Sequence, residues 1–179
     1  MSDTTTPSPT VIVRLIGGPD DWRDRTLTHV TADELTGPRE SLGSYLISSC
    51  VPHGHPDPGA RAVYEPNADP WPITTWFFRG WFPYGPHDLE SRFSGRGVPV
   101  DVETDDGLPT GWVTDEGERH NVERILAHWQ ANPENDLAAD VWHVASDDGS
   151  DYELLSHPGH WEAGQLPAVE AQEHDDLLI

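Results

Sequence analysis

Lysine is absent from this chain of 179 residues: its Lys+Arg total of 10 is all arginine. Against these stand 32 acidic residues, for a net charge of -22. So little positive charge excludes a direct nucleic-acid binder, because phosphate recognition needs a concentrated basic surface. It equally excludes docking on an anionic membrane. Cysteine occurs once, at Cys50, so no internal disulfide can form and synthesis in a reducing cytoplasm is expected. The apolar strand before it reads Cys50 as a small buried residue rather than a nucleophile. No apolar run reaches transmembrane length, and the opening MSDTTTPSPT has neither the basic nor the apolar region of a secretory signal. GxSxG, P-loop and HExxH patterns are missing, so neither a catalytic residue nor a cofactor is expected.

The segments that are present read mostly as strands. TVIVRLI is β-branched and stops at the turn cluster GGPDD, after which RTLTHV pairs back as a hairpin. Thr31 and Glu34 have capping-box spacing, which predicts a single helical turn. GSYLISSC, ARAVYEP, the aromatic run PITTWFFRGWFPYG and the alternating VPVDVET follow as further strands. DVWHVAS and DYELLSH flank the turn signal DDG. One helix is expected over 117–131, where Val122, Ile125, Leu126 and Trp129 fall at i, i+3, i+4 and i+7. The sum is an α+β fold, a mostly antiparallel sheet with one amphipathic helix packed on it. A flexible arm is expected over 1–9, a single domain over 10–163 and an acidic tail over 164–179.

The stretch VPHGHPDPG places His53, His55 and Asp57 at alternate positions, which is workable zinc-ligand spacing on an extended segment. It resembles the H-x-H-x-D-H motif of the metallo-β-lactamase fold, and SHPGHW over 156–161 resembles that family's next ligand loop, which would give His160 a metal role. The pattern departs from the family at Pro58, which stands where its last histidine belongs, and only 19 residues follow His160. Prolines 52, 56 and 58 also oppose regular strand pairing, so a loop without a metal is the expectation. Residues 13–30 resemble the N-terminal hairpin of small uncharacterised actinobacterial and actinophage proteins carrying a GGPxDG turn, with Gly17, Gly18, Pro19 and Asp21 matching and Trp22 in place of the last glycine. That resemblance implies a genomic setting, and arginine-only basic residues amid abundant Gly, Pro and Ala fit GC-rich coding. A salt-loving host is the rival explanation of the acidity.

Trp71, Trp76, Phe77, Phe78, Trp81, Phe82 and Tyr84 crowd into one segment with Arg79 among them. Both faces of such a strand are apolar, which makes it a central core strand or one with a face given to a partner. Tryptophan, tyrosine and arginine are the residues that anchor protein interfaces. Partner contact is therefore assigned to Trp71, Trp76, Phe78, Arg79, Trp81, Phe82 and Tyr84. The functional expectation is a non-catalytic assembly or protein-binding protein, an accessory component of an actinobacterial phage particle, oligomeric or bound to other protein subunits. Two alternatives of other classes are an acidic nucleic-acid mimic that inhibits a DNA-binding protein, and a zinc-dependent hydrolase.

Overall fold

The computed structural model describes residues 8–83, 97–130 and 140–167. Thr10–Ile16 (β1), Thr26–Thr31 (β2), Ser44–Ile47 (β3), Arg61–Pro66 (β4) and Thr75–Phe82 (β5) form one sheet in the order β2-β1-β5-β4-β3. β1 and β5 run parallel; every other pair in this sheet is antiparallel. Val98–Asp105 (β6), Leu108–Thr114 (β7), Arg119–Gln130 (β8), Asp140–Ser146 (β9), Asp151–His157 (β10) and His160–Gln165 (β11) follow. Each pairs antiparallel with the next, and β11 closes on β6 to make a six-stranded barrel.

This corrects the expected α+β fold: among the described residues the helical elements are two short 3-10 turns, Asp33–Thr36 and Arg39–Ser41. The segment read as an amphipathic helix is β8. Its register against β9 slips twice, between Val122 and Arg124 and again between Ile125 and Ala127. Each bulge adds one residue to β8, so inward positions fall at spacings of three rather than two. Val122, Ile125 and His128 therefore lie opposite Ser146, Val144 and Trp142, which are themselves spaced by two. Trp129 points to the other face of the strand, packing with the sheet's core and edge-on to His143 at 4.7 Å. A doubly bulged strand thus imitates a helical period.

The capping-box reading fares differently. The Thr31 amide and hydroxyl both donate to Glu34 Oε2, at 2.6 and 2.7 Å, ahead of the Asp33–Thr36 turn.

Two apolar cores result, and β5 belongs to both. Trp76, Phe78 and Trp81 join Val13, Leu15, Leu27 and Tyr64 on one face of the sheet. Phe77, with Ile16, enters the barrel core formed by Val100, Trp112, Trp142, Val144, Leu154 and Ala163. The aromatic run is two-faced because each face fills a different core. Backbone bonding reinforces the junction: the Gly18 N–H donates to the Leu126 carbonyl at 2.9 Å.

Candidate functional site

Beside Phe77 the junction holds a buried polar cluster. Arg79 donates to the His128 carbonyl at 2.5 Å and to Asn67 Oδ1 at 2.6 Å. Asn67 Nδ2 then donates to His128 Nδ1 at 3.1 Å, which fixes the neutral tautomer with its proton on Nε2. That Nε2 lies 3.7 Å from Asp140 Oδ1 and has no hydrogen-bond partner among the described residues. Asn67 and His128 are buried, while Asp140 at the cluster's rim is partly exposed. The cluster holds the sheet to the barrel.

His128 gives the cluster a pH signature. Burial holds its pKa below the ordinary histidine value, with the Arg79 charge acting in the same direction and Asp140 opposing. The unfolded chain takes up a proton near pH 6.5 that the folded chain resists. The associated stability is therefore present above about pH 6.5 and is lost as pH falls below it. Denaturant titrations between pH 7.5 and 5.5 are expected to show stability falling more in the wild type than in His128→Gln. Equal slopes for the two proteins would remove His128 from the effect.

The residues assigned to partner contact scatter. Trp76, Phe78 and Trp81 are buried in the sheet's core. Arg79 is spent on the junction, with its Nε 3.6 Å from Glu65 as well. Trp71 is half-buried, packed on Phe77 at 5.0 Å and Trp142 at 6.3 Å. Tyr84 lies outside the described residues. Phe82 alone of the described members is exposed, at 47 %.

Phe82 does not stand alone at the surface. Its ring meets Tyr45 edge-on at 5.2 Å, and Tyr45 is 57 % exposed. Ile47, two residues further along β3, is 70 % exposed. The pairings Ile47 with Arg61 and Arg61 with Phe82 align these residues across three strands. Among the described residues β3 lies at the edge of its sheet and pairs with β4 alone, although the Ile47 carbonyl already accepts from the Trp22 indole N–H at 2.7 Å. Edge strands ordinarily carry charge, proline or a bulge that blocks such pairing. SYLI carries none of these. Its alternation turns Leu46 to the core and Tyr45 and Ile47 outward, a pattern present in the sequence but weaker there than the aromatic run.

The histidine loop resolves as local structure. His53 is exposed, and His55 packs near Trp81 with ring centroids 6.4 Å apart. The Asp57 amide donates to His55 Nδ1 at 3.1 Å, and the Asp57 carboxylate accepts from the Gly59 amide at 2.7 Å. Cys50 is exposed rather than buried, because β3 ends at Ile47 and the chain turns away from the core.

Two open clefts of about 270 and 460 Å³ lie where the sheet meets the barrel, the first beside Arg14, Trp71 and Asp106, the second beside Arg23, Asp24 and Arg124. Among the described residues no helix is long and apolar enough to cross a membrane. In comparisons with known proteins, no family model, no curated protein and no solved structure matches the chain.

Proposed function

We propose that this protein is a non-catalytic binding subunit that docks a partner protein along the β3 edge. The observation that carries the reading is the uncharged strand β3, at the sheet's edge among the described residues, bearing the exposed Tyr45 and Ile47 beside Phe82. Such a surface suits strand addition, in which main-chain bonds provide affinity and alternate side chains provide specificity. The net charge of -22 argues for a partner with basic flanks, since a second copy is repelled and a basic surface attracted. The actinobacterial phage particle suggested by composition is the setting in which to seek that partner.

Ile47→Asp places a charge in the middle of the proposed contact while leaving the core face of β3 untouched. It is expected to abolish a stoichiometric complex on size-exclusion chromatography, with folding stability changed by no more than about 0.5 kcal/mol, as for an ordinary surface substitution. Association should also slow steeply with added salt. A complex that survives Ile47→Asp, or a wild type that runs as a homodimer, would overturn the reading.

A further inference from the structure

We propose that the β10–β11 turn is a binding site for a divalent transition-metal ion of the zinc class, held by His157, His160 and Glu162. This goes beyond the partner-docking role and does not rest on it. The three side chains stand out among the described residues as a group whose ligand atoms all lie within 4.8 Å of one another.

The hairpin places them. His157 pairs with His160 across the two-residue turn Pro158–Gly159. Proline fixes φ at the first turn position, and Gly159 takes φ +89 at the second, a combination that closes the turn tightly. Cross-strand partners share a face, and Glu162, two residues beyond His160, shares it too. That face is the barrel's outer one, because Leu154 of β10 and Ala163 of β11 point into the core. A turn of this kind presents three donors on one side of a rigid ladder with little chain entropy left to lose.

The chemistry fits. His160 Nε2 lies 3.4 Å from Glu162 Oε1. Two ligand atoms of a tetrahedral zinc, each bonded at about 2.0–2.2 Å, are about 3.4 Å apart, so this pair already has the required spacing. The two imidazoles stack in parallel with centroids 4.7 Å apart, and a modest side-chain rotation brings their nitrogens to a common ion. Neutral imidazole with one carboxylate suits zinc and its neighbours, whereas magnesium and calcium prefer an all-oxygen shell. Gly97 leaves the carboxylate room, since a Cβ there would fall 2.7 Å from Glu162 Cβ and 3.1 Å from its Oε2. Three protein donors leave one position for water or for a donor from a bound molecule. The loop histidines His53 and His55 play no part.

The test uses the full chain without a histidine tag, stripped by chelator and titrated with zinc in excess magnesium, which saturates diffuse carboxylate binding. One equivalent is expected. Loss of a direct ligand costs at least what loss of its outer-shell support costs, so His157→Ala and His160→Ala are each expected to weaken binding about tenfold or more. In the wild type, imidazole NMR signals of His157 and His160 should shift on zinc addition while those of His53 and His55 stay still, a readout independent of any variant's folding. No saturable binding above the magnesium background, binding retained when both histidines are gone, or shifts confined to His53 and His55 would each overturn the proposal.

Discussion

Replacing Trp142 with alanine is expected to destabilise the protein by about 3–5 kcal/mol, the range for truncating a large buried aromatic. Trp142 is 1 % exposed and faces into the barrel from β9. Its ring centroid lies 3.8 Å from that of His128 and 5.9 Å, edge-on, from that of Phe77, so it touches the barrel wall and the sheet's inserted side chain together. The void would open at the junction of the two cores, where neither a closed barrel nor a paired sheet can collapse to fill it. Against a total stability of about 5–15 kcal/mol the loss is a large fraction. Urea denaturation should show a lower midpoint with an unchanged slope. A double-mutant cycle with Phe77→Ala should give a coupling of about 0.5–3 kcal/mol, as for residues in contact. Additive effects, or a Trp142→Ala loss below about 1 kcal/mol, would mean that sheet and barrel do not share a core.

The same junction shows what the sequence could and could not convey. Strands with a clear local signal were legible: VPVDVET, by its alternation, is β6; DVWHVAS and DYELLSH, by the DDG turn between them, are β9 and β10; and the β-branched TVIVRLI with RTLTHV is the β1–β2 hairpin. The fold class was not, because β8 breaks its own period. Two bulges place Val122, Ile125 and His128 on one face at spacings of three, and no local signal separates that from a helix. β7 and β11 carry no clear strand signal, for a related reason. LPTGWVT and HWEAGQ carry proline, glycine and polar residues, and they hold their places through barrel closure rather than local propensity. The candidate surface was half legible. The aromatic run announces buried area, but its supply of tryptophan is consumed by two cores, a demand that only the topology reveals. The exposed residue it leaves among the described ones, Phe82, becomes a surface feature by meeting Tyr45 from a distant strand. Likewise SHPGHW marks out His160 in the sequence, but it is hairpin register that brings His157 and Glu162 beside it.

Gly18→Ala is expected to cost about 2–5 kcal/mol, from two sources that experiment can separate: left-handed backbone strain and overpacking. Gly17 and Gly18 take φ +74 and +86 where β1 ends and the chain turns towards Pro19. A Cβ on Gly18 would collide with the hydroxyl of Tyr64 and lie 2.9 Å from two carbons of the Phe78 ring. Tyr64 cannot retreat, being fully buried, and its hydroxyl donates to the Gly17 carbonyl at 2.9 Å. Strain alone is measured at Gly149, whose φ is +83 but whose Cβ would meet nothing within 4 Å. Gly149→Ala should therefore cost only about 1–2 kcal/mol, and the excess at Gly18 is the packing term. Tyr64→Phe isolates that term further. On its own it loses one buried hydrogen bond, worth about 1 kcal/mol. In the Gly18→Ala background it removes the atom the new methyl meets, so the double variant should be more stable than the sum of the single effects requires. Thermal and urea midpoints for the four proteins and Gly149→Ala decide the matter. If Gly18→Ala costs no more than Gly149→Ala, or the Tyr64 cycle is additive, then β4 and β5 do not press against this turn, and the GGP sequence is retained for its backbone angles alone.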